Sequence, residues 1–179
     1  NDIYKDKKKS KIKLLKKEKI LCAKFRKGHF EGVLDVMNRL TKIVNPKKIF
    51  MGEKDFQQLI LVKKYIENNF KSKIVPCKTI RDKNKLALSS RNLLLKKSDQ
   101  IKAGKIAKTL ISFKNKFFKR KITKKSILTK KNELEKLYGV NIEYLELRNK
   151  KNLKLSNRIN NSRIFIGYYL KNIRLIDNF

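Results

Sequence analysis

The stretch KIFMGEKDFQQLILVKKYIENNFKSKIVPC, residues 48–77, contains the pattern that decides the fold. Residues 49–51 are a short apolar run, and we predict a buried strand over residues 48–51. Apolar residues then recur with helical spacing over residues 55–69, and another short apolar run begins at Ile74. A strand, a helix and a strand of these lengths form a βαβ unit, in which the two strands are parallel and the crossover is right-handed.

The residues before this unit contain a further helix. Apolar residues follow helical spacing from His29 onward, and Asn45-Pro46 ends the pattern because the residue before proline avoids the α region. Further upstream, residues 11–15 alternate in a way that allows a short strand. A solvated loop remains the alternative for most of the lysine-rich stretch 5–19.

The residues after Asn92 differ in character. They predict two amphipathic helices, at residues 98–118 and 126–137, and then three alternating segments that can pair as neighbouring strands. The three segments are residues 141–147, 163–170 and 173–176. We therefore predict a small α+β domain with an antiparallel sheet and divide the chain into domains 1–94 and 95–179.

Composition excludes several classes of protein. The 179 residues are 40% hydrophobic, which is enough for a core and argues against wholesale disorder although 36% are charged. No apolar run approaches the roughly 20 residues of a membrane span. Cys22 and Cys77 lack a CxxC partner, so structural zinc is not expected. These features favour a reduced, cytoplasmic protein.

The formal net charge of +34 raises the possibility of nucleic-acid binding. Most of the 49 basic residues are lysine, whereas base and phosphate recognition favours the bidentate arginine fork. The lysines are also spread over every segment, and asparagine and isoleucine are frequent while alanine is scarce, as A/T-rich codons would produce. We therefore expect no specific nucleic-acid partner, and keep a non-enzymatic basic nucleic-acid-binding protein as the alternative.

The string MGEKDFQQL, residues 51–59, carries the first chemical signal. It lies where a strand ends and a helix begins, which is where open α/β sheets bind ligands. Gly52 permits close backbone approach, Lys54 supplies a mobile positive charge, and Asp55 is placed to N-cap the helix. An ordinary βα loop with a capped helix is the alternative that these residues alone leave open.

The string LALSSRN, residues 86–92, carries the second signal. Ser89, Ser90 and Arg91 place two hydroxyls and a guanidinium side by side, all of them donors suited to phosphate oxygens. A simple turn leading into the next helix would use similar residues.

These two strings, with GHFEGV at residues 28–33 and RLIDN at residues 174–178, resemble the pantothenate synthetase family in its order and spacing. The resemblance implies an α/β fold: the second part of a Rossmann-like nucleotide- and pantoate-binding domain with a parallel sheet, followed by an α+β lid with an antiparallel sheet. It implies an AMP-forming ligase that joins pantoate and β-alanine through a pantoyl adenylate, using ATP with Mg²⁺. It also implies a cytoplasmic homodimer with no membrane partner.

The resemblance assigns roles to individual residues. Gly52 and Asp55 would approach the ribose of ATP, and the backbone of Ile80 would meet the adenine. Lys54 and Arg91 would be the catalytic cations, and Gln58, rather than Gln57, would bind pantoate. The full set of expected ATP-binding residues is Gly52, Glu53, Lys54, Asp55, Ile80, Leu88, Ser89, Ser90 and Arg91. No metal-ligating residue and no role for His29 are assigned.

The sequence also departs from the family pattern. Lys27 and Lys78 stand where the family usually has proline, and Asn84-Lys85 where it has Asp-Gly, so we expect altered loop geometry. The family's His-x-Gly-His nucleotide motif would precede Asn1. We therefore expect the chain as given to lack the first segment and to be inactive alone, and keep an inactive remnant as a further alternative.

Overall fold

The computed structural model describes residues 12–118 and 120–179. The chain divides between Lys78 and Thr79 into two compact units. Within the described residues, no helix has both the length and the apolar character that crossing a membrane requires. The possible strand at residues 11–15 is not found over 12–15, where a 3₁₀ turn follows at Lys16–Glu18, and Lys11 lies outside the described residues.

The first unit contains the two predicted helices, the two predicted strands and one further short helix, which was not predicted. The helices are α1 (Cys22–Phe25, the one not predicted), α2 (His29–Val44) and α3 (Phe56–Asn69), and the strands are β1 (Lys48–Gly52) and β2 (Lys73–Cys77). The two strands pair in parallel, with Lys48 opposite Lys73 and Gly52 opposite Cys77. The βαβ pairing predicted from the sequence is therefore confirmed.

Helix α3 supplies more of the buried residues of this unit than any other element. Val62 and Ile66 are completely buried, and Ile74 of β2 is 4% exposed. The predicted burial of β1 is wrong, because Phe50 at its centre is 66% exposed and only intermediate burial is reached at its neighbours. An apolar strand sequence sets the local conformation, but its burial depends on what covers it.

The second unit contains the remaining elements. The helices are α4 (Lys97–Lys116) and α5 (Lys124–Tyr138), and the strands are β3 (Asn141–Asn149), β4 (Ser162–Leu170) and β5 (Ile173–Asn178). The strands form an antiparallel sheet in the order β3-β4-β5. Both predicted helices and all three predicted strands are confirmed.

The core of the second unit lies between its helices and its sheet. Leu110 and Leu134 of the helices and Ile164 and Ile166 of β4 are fully buried in one apolar cluster. Leu86 belongs to the same cluster, so residues from 79 onward pack as part of this unit. The domain division at residue 94 stays a prediction.

Candidate active site

The carboxyl ends of β1 and β2 form the base of the first group of candidate residues. Gly52 and Cys77 are paired in register there, and Cys77 is exposed. Gly52 has φ −68°, and no described atom lies within 4 Å of the place where a Cβ would be. Neither conformation nor packing therefore requires glycine, and its missing side chain leaves room for a ligand above the strand end.

Lys54 lies in a 3₁₀ turn, Glu53–Asp55, between β1 and α3. Its Nζ is 3.7 Å from Asp55 Oδ1, and its side chain is 19% exposed against 48% for Asp55. Asp55 occupies the N-cap position of α3, but its side chain makes no cap hydrogen bond, so the prediction that it caps the helix is wrong. The turn places a cation and a carboxylate in front of the helix N-terminus.

The two glutamines of α3 have different surroundings. Gln57 is 5% exposed, and its Nε2 donates to the backbone oxygens of Ile20 at 2.8 Å and Glu18 at 3.2 Å. It therefore ties the preceding loop to α3, so its amide is already used within the fold, while the assignment of pantoate to Gln58 rather than Gln57 stays a prediction. Gln58 is only partly buried, which leaves it as the glutamine of the pair that a ligand can reach.

The second group of candidate residues begins with a short hairpin at residues 80–88. Leu88 N donates to Ile80 O at 3.0 Å, and Arg81 forms an antiparallel bridge with Ala87. The hairpin therefore brings Ile80 and Leu88 side by side, with 71% and 54% of their surfaces exposed. Two adjacent exposed apolar side chains are suited to one face of a flat aromatic ligand such as adenine.

The tip of this hairpin is organised by one carboxylate. Asp82 Oδ1 accepts hydrogen bonds from Asn84 N at 2.8 Å and Leu86 N at 2.9 Å. Lys85 has φ +70°, a left-handed conformation that favours glycine. This is the position where the family pattern has glycine, so the chain forms the turn with a strained lysine.

Ser89, Ser90 and Arg91 follow the hairpin directly. Ser89 Oγ accepts from Arg91 N at 3.3 Å and caps a 3₁₀ helix at Ser90–Leu94. Arg91 Nη1 donates to Arg174 O on β5 at 2.9 Å, so this guanidinium is anchored to the sheet. The string therefore forms a turn, as the alternative interpretation expected, and it also groups two hydroxyls and a guanidinium in consecutive residues.

Sequence reasoning missed the residue that joins the hairpin to the sheet. Arg81 Nη1 and Nη2 donate to Asp177 Oδ2 and Oδ1 at 2.7 and 2.8 Å. Asp177 also faces Tyr168, whose pKa is raised by burial and further by this carboxylate. The only sequence signal was the closing RLIDN string, which had no assigned role.

The single histidine makes a contact that defines its tautomer. Arg26 Nη1 lies 2.8 Å from His29 Nε2, at the start of α2. A guanidinium only donates, so Nε2 accepts and the ring proton lies on Nδ1. Within the described residues, no group of three or more His, Cys, Asp or Glu side chains could hold a metal ion.

The structure therefore places the predicted site residues in two groups. Gly52, Glu53, Lys54, Asp55 and Gln58 lie together in the first unit, and Ile80 and Leu88–Arg91 lie together in the second. A family model of pantoate-beta-alanine ligase matches residues 1–179. The chain belongs to this family.

Curated relatives support the assignment. The pantothenate synthetase of Flavobacterium psychrophilum is 40% identical over 162 residues, which cover 87% of this chain and 56% of the relative. That of Endomicrobium trichonymphae is 34% identical over 182 residues, covering 99% of this chain and 63% of the relative. The chain thus spans less than two thirds of the length of these pantoate-beta-alanine ligases.

Solved structures of the family confirm the fold class. Pantothenate synthetase from Thermus thermophilus matches with a TM-score of 0.89 at 26% identity, covering 99% of this chain and 66% of that structure. Pantoate-beta-alanine ligase from Francisella tularensis, complexed with beta-gamma ATP and beta-alanine, matches with a TM-score of 0.77 at 33% identity, covering 99% and 60%. The parallel strand pair with helices, followed by an antiparallel sheet, is the arrangement predicted from the sequence.

Proposed function

We propose that this chain carries ATP- and pantoate-binding residues of a ligase that joins pantoate and β-alanine. The observation that carries the proposal is the pair of phosphate-compatible groups in a member of the pantoate-beta-alanine ligase family. One group lies at the end of two parallel strands, beside the N-terminus of α3, and the other follows an exposed apolar hairpin. The solved Francisella tularensis relative, which holds beta-gamma ATP and beta-alanine, supports ATP as a substrate.

In the first proposed step, a carboxylate oxygen of pantoate attacks the α-phosphorus of ATP. A new P–O bond forms, the bond between the α-phosphorus and the bridging oxygen breaks, and pyrophosphate leaves with its electron pair. Charge grows on the phosphate oxygens during this step, so positioned cations lower the barrier. The product that remains is pantoyl adenylate.

In the second proposed step, the neutral amine of β-alanine attacks the acyl carbon of pantoyl adenylate. The C–N bond of pantothenate forms, AMP leaves, and the amine loses a proton. Holding the amine and the adenylate in attack geometry supplies much of the catalysis in such transfers.

The side chains divide these tasks by their chemistry. Lys54 offers a point charge to the phosphates, and Arg91 offers a guanidinium fork whose orientation is fixed by Arg174 O at 2.9 Å. Ser89 and Ser90 add hydroxyl donors. Gln58 is neutral and can donate to the pantoate carboxylate without forming an ion pair that would weaken the nucleophile.

Magnesium would accompany the phosphates in this scheme. The described residues contain no cluster of three acidic or histidine ligands, so the donor set fits an ion held chiefly by phosphate oxygens and water. Glu53 and Asp55 are the carboxylates of the loop that carries Lys54, and one of them would contribute a ligand. When bound, Mg²⁺ neutralises phosphate charge.

Three proposals concern the whole protein rather than described contacts. We propose a homodimer, to be tested by sedimentation equilibrium, and a cytoplasmic location, which the reduced state of Cys22 and Cys77 supports. Because the chain covers 56% of its Flavobacterium relative, we also propose that it turns over poorly alone. Activity assays should therefore include the remaining part of that relative, supplied in trans.

The deciding experiment is pyrophosphate release from ATP and pantoate by this assembly. Lys54→Ala should reduce the rate at least tenfold, because removing one positioned charge contact costs about 2–4 kcal/mol of transition-state stabilisation. The matched control is Lys48→Ala, which removes an exposed lysine from the opposite end of β1 and should leave the rate unchanged. Equal rates for both variants would remove Lys54 from the site.

Gln58→Ala separates the acid site from the nucleotide site. Losing a hydrogen bond to a charged group costs about 1.5–3 kcal/mol, or roughly ten- to hundredfold, and the loss should be in pantoate use. ATP affinity without pantoate should stay unchanged. Lost ATP binding together with normal pantoate dependence would refute the assignment of Gln58.

A further inference from the structure

The nucleotide segment, defined as residues 80–91, is attached to β5 at both of its ends. At the first end Arg81 pairs with Asp177, and at the second Arg91 Nη1 donates to Arg174 O at 2.9 Å. Within the segment Leu86 and Ala87 are buried, whereas Ile80 and Leu88 have most of their surface exposed. Few apolar side chains of the segment, Leu86 and Ala87 among them, are therefore buried.

Arg81 is the centre of the first attachment. Beyond its two bonds to Asp177, Nη1 donates to Lys85 O at 2.9 Å and Nη2 donates to Asn178 O at 3.1 Å. Its guanidinium carbon also lies 4.7 Å from the centroid of the Phe179 ring. The Arg81 side chain thus binds both the tip of its own hairpin, at Lys85, and the last two residues of β5, Asp177 and Asn178.

The burial of this pair makes its geometry specific. The side chains of Arg81 and Asp177 are 18% and 8% exposed, and Asp177 Oδ1 also accepts from Asn178 N at 2.7 Å. A buried ion pair adds little net stability compared with apolar packing, but it penalises every arrangement in which its charges separate. A pair of this kind restricts a segment to one shape.

We propose that Arg81 and Asp177 are positioning residues that hold the nucleotide segment in the shape that binds the triphosphate. Neither residue touches the nucleotide, and both act through Ile80 and Leu88–Arg91. The inference rests on the proposed function for its ligand, since it deepens the account of the same ATP site. A segment ordered before binding loses less conformational entropy when the ligand arrives, so the pair raises affinity for ATP.

The second buried ion pair of the sheet provides a matched control. Arg174 donates from Nε and Nη2 to Glu143 Oε2 at 2.9 and 2.7 Å, and the two side chains are 10% and 11% exposed. This side-chain pair joins β5 to β3, whereas Arg174 meets the nucleotide segment through its backbone oxygen, so Glu143 holds the sheet rather than the hairpin. Glu143→Gln and Asp177→Asn each remove one negative charge from the same sheet. The first breaks a pair between two strands, and the second breaks a pair between a strand and the hairpin.

The test compares these two variants of the full chain. Both should lower the thermal midpoint by similar amounts, but only Asp177→Asn should weaken ATP binding, by about fivefold or more in isothermal titration. Amide hydrogen exchange without nucleotide should accelerate within residues 80–91 for Asp177→Asn alone. Arg81→Lys keeps the charge but loses the fork, and should weaken ATP binding and accelerate the same amides.

The outcomes separate this inference from the proposed function. If Asp177→Asn fails to fold, ATP affinity and amide exchange of residues 80–91 in Arg81→Lys decide whether the pair positions the segment. If the unmodified chain does not bind ATP even with the remaining part of the relative supplied in trans, the proposed function fails, while exchange in residues 80–91 still decides whether the pair orders the segment. Unchanged exchange there, or equal ATP affinity in Asp177→Asn and Glu143→Gln, would overturn the inference.

Discussion

Replacing Gly104 by alanine tests how closely α4 packs against the hairpin tip. A Cβ at Gly104 would lie 2.7 Å from Asn84 O and 2.8 Å from Asn84 Cβ. Gly32 in α2 is the matched control, because no described atom lies within 4 Å of its Cβ position. Neither glycine has positive φ, so alanine is compatible with both backbones and should contribute about 0.5–1 kcal/mol of helix propensity at each.

The size of the difference follows from the clash. Reaching an ordinary separation of about 3.4 Å requires Asn84 to move about 0.7 Å, and inserting a methyl group without space typically costs 1–3 kcal/mol. Helix α4 cannot yield, because Ala103, Ile106 and Ala107 beside Gly104 are at most 3% exposed. The hairpin should move instead. The propensity gain cancels between variants, so Gly104→Ala should be about 1–3 kcal/mol less stable than Gly32→Ala.

Urea unfolding of both variants, with equal m-values as the check on two-state behaviour, measures this difference. Because the displaced tip belongs to the nucleotide segment, Gly104→Ala should also weaken ATP binding, whereas Gly32→Ala should not. Equal stabilisation by the two substitutions would refute the close packing of α4 against the hairpin.

Two further predictions concern the strand end and the hairpin turn. Cys77 lies beside Gly52 and is exposed, so saturating ATP should slow the alkylation of its thiol by iodoacetamide. Peptide mass spectrometry measures the alkylation rates of Cys77 and of buried Cys22, which is the internal reference, and Lys54→Ala should abolish the protection of Cys77. Equal rates for Cys77 with and without ATP would contradict the site. Lys85→Gly should relieve left-handed strain of about 1–2 kcal/mol but add chain entropy worth about 0.5–1 kcal/mol to the unfolded state. The net stabilisation measured by urea unfolding should therefore lie between about 0 and 1.5 kcal/mol, and a loss of stability would show that the lysine side chain supports the turn.

Local sequence patterns predicted most of the elements because each pattern acts within a few residues. The start of α2 at His29 and its end before Pro46, the helix ending at Asn69 and the three strands of the antiparallel sheet all follow from spacing and turn residues. The burial of β1 did not follow, because exposure of Phe50 is decided by neighbouring segments. Asp55 failed as a cap because its backbone, with φ −95° and ψ 56°, lies outside the extended conformation that N-cap residues adopt.

The candidate site shows the same division between local and distant information. The strings around Lys54 and Arg91 were visible because their chemistry is concentrated in a few consecutive residues. Arg81 and Asp177 are separated by 96 positions, and nothing local to either indicates that they form a bidentate pair. Gln57 was distinguished from Gln58 only by the resemblance, and the structure supplies the physical reason in its bonds to Glu18 and Ile20.

The use of arginine and lysine explains how so basic a chain can keep a specific structure. Arg81, Arg148 and Arg174 each donate more than one hydrogen bond to a carboxylate or carbonyl, at partly or fully buried positions of the second unit. Lysine could not replace them, because its ammonium lacks the planar fork that spans two oxygens. Most described lysines are exposed instead, at positions where substitution by lysine changes the free energy of unfolding little. Lys54 and Lys130, with side chains 19% and 16% exposed, depart from that pattern, and Lys54 is the one that lies at the strand end where the proposed function needs a cation.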